Sequence, residues 1–253
     1  RRQAVTRVGD RVALRDGASW AGPGVYRVNL HDEEPGRELL TVSGDLHLFD
    51  LDLVTDLPDD MAVEGTFKIS RCAALTSLPS KLAVLNSIVV NNCVALRAVL
   101  DVRVGGELCL MDCPNVQSLS KEARLPGILV SGEVASTNFL DTLFDHGNIR
   151  IAIRDCPSLK SLPTSAIACQ SIQIHKCANL ESITAGLKAE QEIRLTNLQA
   201  LRTIKGDIRS KSLIITACPQ LTRLPEDMFV GSISLDSLDV LKALPERLHF
   251  TGM

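Results

Sequence analysis

The chain has 253 residues, 45% of them hydrophobic but only 3% aromatic, with eight cysteines and a formal net charge of −3. That apolar share excludes an intrinsically disordered chain and predicts one or two domains around a large core, which must be aliphatic because Phe, Trp and Tyr are so few. A balance of 27 Lys and Arg against 30 Asp and Glu gives no general attraction to nucleic acid or to an anionic membrane, and no window approaches the ~18 uninterrupted apolar residues of a membrane span.

Arg1-Arg2-Gln3 is not followed by an apolar signal core, so the chain reads as soluble, and the missing initiator Met suggests a piece of something longer. Residues 1–45 are rich in Gly, Arg and Asp. Alternation in Arg11–Arg15 and Val25–Leu30 predicts short strands around a turn at Ala21–Gly24. This segment is expected to be a β-rich N-terminal cap, with Trp20 and Tyr26 as lids.

From residue 46 to 253 one pattern recurs. Cys72, Cys93, Cys113, Cys156, Cys177 and Cys218 are separated by 21, 20, 43, 21 and 41 residues, one or two copies of a unit of about 20 to 22. Leu51, Leu198 and Leu238 fill missing places in the series. Apolar residues stand five and three positions before each anchor, as in Phe67 and Ile69 or Ile172 and Ile174, and three and six after it, as in Leu75 and Leu78 or Leu221 and Leu224. Proline often follows, at Pro58, Pro79, Pro163, Pro225 and Pro245. About ten units result, one of them degenerate near 128–148.

Two apolar residues flanking a polar one make a short strand with one buried face. The Leu-Pro step turns the chain, and the roughly ten residues left are too few for an ordinary helix, so the return limb should be extended or a single 3₁₀ turn. One unit cannot bury its own apolar face, whereas a stack can. The expected fold is a right-handed solenoid with a concave parallel sheet of about ten strands. Every layer offers the same narrow space, which Leu and Ile fill repeatedly and Trp does not. A cysteine at each strand end fills a corner while its thiol bonds a backbone carbonyl. Leucine at three equivalent positions argues against a disulfide framework, so the six anchors read as a ladder of free thiols in a reducing compartment. No Cys-x-x-Cys occurs and the histidines are scattered, so no metal is expected.

The runs Ile151-Ala-Ile-Arg-Asp-Cys156-Pro-Ser-Leu159-Lys-Ser-Leu162-Pro163 and Leu213-Ile-Ile-Thr-Ala-Cys218-Pro-Gln-Leu221-Thr-Arg-Leu224-Pro225 resemble leucine-rich repeats with Cys in place of the usual Asn. Their length and terminal Leu-Pro are similar to the repeats of bacterial type III secreted effectors, including the leucine-rich ubiquitin ligases. The resemblance covers roughly four fifths of the chain. It implies a binding module acting in the cytosol of a host cell, or else the substrate-recognition part of an E3 ubiquitin ligase whose catalytic domain lies outside these residues. That family's Cys-x-Asp nucleophile has no counterpart here, because none of the eight cysteines is followed by x-Asp.

Function should therefore sit on the concave face. Arg150, Arg154, Gln173, His175, Glu192 and Arg194 gather in units six to eight, and Val89, Asn91, Cys109 and Met111 form a more apolar patch in units three and four. Ten strands about 4.8 Å apart would give a surface roughly 45 Å long, enough for a partner protein. His175 lies two residues from Cys177, but one should point out and the other in. No phosphate or dinucleotide glycine pattern appears. The expectation is a monomeric protein-binding module with no active site and no cofactor, binding neither nucleic acid nor membrane.

Overall fold

The computed structural model of the chain describes residues 6–8, 11–13, 19–21, 25–29, 38–134, 137–163 and 167–251. The chain is a parallel β-solenoid of about ten turns with a large parallel sheet and, among the described residues, one short helix. It divides into two units, Arg1–Pro126 and Gly127–Met253. In the first unit the main-sheet strands are β1 (Leu46–Phe49), β2 (Phe67–Ser70), β3 (Ile88–Asn91) and β4 (Glu107–Cys113), paired in parallel with equivalent residues opposite each other. In the second they are β5 (Gly127–Val134), β6 (Arg150–Arg154), β7 (Ile167–His175), β8 (Leu187–Thr196), β9 (Ile208–Thr216), β10 (Asp227–Asp236) and β11 (Arg247–Phe250).

Successive side chains alternate across each strand, so the apolar pair ahead of each anchor points inward. Leu46, Phe67, Ile69, Ile88, Val90, Ile172 and Ile174 are buried. Each such burial stabilises by about 1.5–3 kcal/mol. The residue just before each anchor, from Asp50, Arg71 and Asn92 to Asn197, Ala217 and Ser237, then takes a left-handed conformation, with φ between 49° and 56°. None of these is glycine. Such a conformation costs roughly 1–2 kcal/mol, and two gains offset it. The amide of the left-handed residue reaches the carbonyl one turn on, as in Arg71 N to Asn91 O at 2.9 Å and Asp155 N to His175 O at 2.9 Å. The chain also swings inward and buries the anchor.

Each anchor thiol donates to the carbonyl two residues earlier, over 3.1 Å to Arg154 O at Cys156 and 3.6 Å to Ser70 O at Cys72. The anchor's own carbonyl accepts the amide three residues on, as from Leu159 to Cys156 at 3.3 Å and Leu221 to Cys218 at 3.1 Å, closing a β-turn. Pro114, Pro157 and Pro219 occupy the second position of that turn, where proline's fixed φ fits. The Cys-Pro pairs are therefore turn signals. All eight cysteines are free and all but half-buried Cys109 are buried. Burial pushes the Cys113 and Cys218 thiols up and carries Cys169 up to about 12. The neighbouring thiol of the ladder holds Cys72 down and pushes Cys93 up, and the next pair does the same for Cys177 and Cys156.

Of the two forms expected for the return limb, extended or a single 3₁₀ turn, the limb takes the extended one, and successive turns also pair along it. In the first unit Glu38–Val42, Met61–Val63, Leu82–Val84 and Val102–Val104 form a second parallel ladder. In the second unit this side segment merges with the main strand, giving the long strands β7 to β10, with register shifts between Cys169 and Ser171 and between Lys188 and Glu192. A short third ladder follows the anchors, pairing Ala98–Val99 with Ser118–Leu119 and Ser182–Ile183 with Thr203–Ile204. No 3₁₀ turn occurs among the described residues. The physical reason is that every straight side carries amides needing partners, and the neighbouring turn offers carbonyls at the same register. Layers approach closely where they bend: a Cβ on Gly206 would collide with the backbone of Ala185.

The degenerate unit also reads differently in three dimensions. β5 supplies inward Ile128 and Val130, and Gly132, with φ of 77°, takes the left-handed corner. A helix, Thr137–Phe144, then replaces the usual anchor and Leu-Pro step, burying Phe139, Leu140, Leu143 and Phe144. Near the N-terminus Thr6–Val8, Arg11–Ala13 and Ser19–Ala21 form an antiparallel sheet, and Val25–Asn29 pairs antiparallel with Glu38–Val42. The expected turn through Pro23 lies outside the described residues, and for Trp20 and Tyr26 the structure describes the strands they stand in and not the expected lid roles.

Thiol titration of the unfolded chain without reductant should count close to eight, whereas brief alkylation of the folded chain should label Cys109 alone. A count near zero in the first case would reveal disulfides. Leu221→Ala should cost about 2–5 kcal/mol as a core cavity, measured by denaturant unfolding. Leu244→Ala, at a leucine that is 59% exposed, should stay within about 0.5 kcal/mol.

Candidate functional site

The outward side chains of the main sheet fall into rows because the pairing keeps equivalent residues opposite each other. In the second unit one row runs Arg150, Ser171, Glu192, Ser212, a second Ala152, Gln173, Arg194, Ile214, and a third Arg154, His175, Thr196, Thr216. The polar residues singled out in the sequence therefore come together on the outer face of β6, β7 and β8.

They form a hydrogen-bonded chain across those three strands. Arg154 donates from Nη2 to Gln173 Oε1 at 3.1 Å, and Gln173 donates from Nε2 to Glu192 Oε1 at 3.4 Å. Arg194 grips the same carboxylate with two nitrogens, Nε to Oε1 at 3.0 Å and Nη2 to Oε2 at 2.9 Å. Donating to the Glu192 carboxylate pushes the Arg194 pKa up, against a smaller opposing effect of burial. His175 Nδ1 lies 2.7 Å from Thr196 Oγ1. The Arg194 and Glu192 side chains are 42% and 24% exposed, so solvent screening leaves this pair worth no more than about 1 kcal/mol. The chief effect of the bonded chain is to orient two guanidinium groups, Arg194 through Glu192 and Arg154 through Gln173.

In the first unit Val89 faces Cys109 and Asn91 faces Met111 across β3 and β4. All four are half-buried and outward. Lys68 and Ser70 border this patch on β2. Burial, aided by Glu107, pushes the Cys109 thiol up, so it behaves as a small apolar contact rather than as a thiolate. His175 and Cys177 do not meet as a pair. The Cys177 thiol is fully buried and donates to the His175 carbonyl at 3.6 Å, while the imidazole bonds Thr196 outside.

One outward row escaped the sequence reading, which stopped at the main strand. Ala168, Lys188, Arg209, Phe229 and His249 stand opposite one another on the side segments of β7 to β11. The signal was the step of one repeat from Lys188 to Arg209 and of one more to Phe229. Among the described residues no three His, Cys, Asp or Glu side chains gather as a metal ion requires, and no helix is long and apolar enough to cross a membrane. No protein-family model, no curated protein and no solved structure matches this chain.

Proposed function

We propose that this chain is a protein-binding module whose partner docks on the outer face of the main sheet. The observation behind this reading is the bonded chain Arg154, Gln173, Glu192, Arg194, which holds two guanidinium groups in place before any partner arrives. Preorganised side chains lose little freedom on association, and arginine is enriched in interfaces because its fork matches carboxylates. The favoured partner surface is therefore acidic, and the more apolar Val89, Asn91 and Met111 patch of the first unit is the alternative contact region.

The finer classification belongs to the same proposal: a leucine-rich repeat module of a secreted bacterial effector, acting as a monomer on a host protein in a reducing cytosol. The Cys-Pro-x-Leu-x-x-Leu-Pro runs from Cys156 and Cys218 and the free buried thiols support it. In this reading the residues bind and do not catalyse.

The double variant Arg154→Glu with Arg194→Glu tests the site. Proteins retained from a host lysate by the immobilised wild-type chain should be lost on the variant, since each charge-assisted contact contributes about 1.5–3 kcal/mol, while the melting temperature moves by only a few degrees. Retention by the wild type should weaken as salt rises. Unchanged retention by the variant would move the interface to the Val89 and Met111 patch or off this face.

A further inference from the structure

The second unit carries a cleft that the main-sheet reading leaves unused. It has a volume of about 510 Å³ and lies along the outward row of the side segments, lined by Asn148, Ala168, Lys188, Arg209, Lys211 and Phe229 among others. That volume lies within the ~300–1,000 Å³ range of small-molecule sites.

One end of the row is filled by a stack. The Phe229 and His249 rings lie 4.6 Å apart between centroids and 12° from parallel. The Arg209 guanidinium caps the Phe229 ring at 4.6 Å. Asp207 accepts from Arg209 Nε at 3.1 Å and fixes the guanidinium from one edge. Beyond Arg209 the row continues to Lys188 and then shrinks to the methyl group of Ala168. Gly147, with no side chain, and Asn148 complete that end. The row is thus full at His249 and open at Ala168.

Two features of the lining select a ligand. A guanidinium stacked on one ring presents its second face as a platform for another planar group. Lys188, Arg209 and Lys211 stand against Glu190 in the lining and Asp207 at the edge of the Arg209 guanidinium, which leaves one positive charge in excess, so the cleft favours an anion. We infer that this cleft is a binding site for a small aromatic anion, a planar ring carrying a phosphate group that would stack on the free face of the Arg209 guanidinium, on the side toward Ala168, with the phosphate toward Lys188 and Lys211. The site is separate from the protein-docking face, because its residues belong to the side segments.

Phenyl phosphate and adenosine 5′-monophosphate serve as probes, followed by chemical-shift titration of the intact chain. Both should bind saturably with Kd below about 1 mM, and phenol and inorganic phosphate at least about tenfold more weakly, since each offers half of the recognised chemistry. Arg209→Ala should weaken both probes about tenfold or more with an unchanged fold by amide spectrum, and Lys160→Ala should leave affinity as it was. Absence of saturable binding by either probe, or equal affinity in Arg209→Ala, would overturn the proposal. Inorganic phosphate binding as tightly as phenyl phosphate would also overturn it, by showing an anion site with no aromatic selectivity.

Discussion

A single turn of this chain is too thin to own a core, so the amides of its straight sides are completed by the neighbouring turn. That requirement governs the rest of the structure. It keeps the repeat nearly constant in length, since a longer or shorter unit would slide apolar positions out of line with those above and below. It also explains why residues as unlike as Arg71, Asn92 and Ala217 share one left-handed corner. The corner aims an amide at the next turn and a thiol or leucine into the core, and those two gains outweigh the local strain.

The inward positions were legible in the sequence because burial restricts their chemistry. Ile172, Ile174, Cys177 and Leu180 could be placed from spacing alone, and they are all fully buried. The second ladder was also written there, as the alternating pairs Met61 and Val63 or Leu82 and Val84, but such short strands give a weak periodic signal beside the louder anchors. The left-handed corners had no signature, because their conformation is imposed by what they connect rather than by their own side chains. The helix at Thr137–Phe144 could have been suspected from Phe139, Leu140, Leu143 and Phe144, whose spacing is helical, although so short a segment does not let that pattern stand out.

Legibility at the candidate site followed the same division. Which residues share the outer face followed from strand alternation, and Arg154, Gln173, Glu192 and Arg194 do lie on it. Their bonding did not follow, because which neighbour a long side chain reaches depends on register and rotamer. The Arg209, Phe229 and His249 stack lay beyond view for a related reason. It belongs to side segments whose outward residues are unrestricted by burial and look, one at a time, like an ordinary solvated surface.

The uniform pairing distance has a consequence for how such a chain assembles and changes. Ile151 faces Ile172 across a regular layer, and Ile128 faces Ile151 across the layer that holds the helical insertion, which is only slightly longer. Loop-closure entropy grows only with the logarithm of length, so the longer layer costs less than about 0.1 kcal/mol more to close. Every layer thus meets nearly the same kinetic step, and growth can proceed one layer at a time with no distant contact to wait for. A corner can accept a new element, as it did with this helix, without disturbing the order in which the layers on either side close.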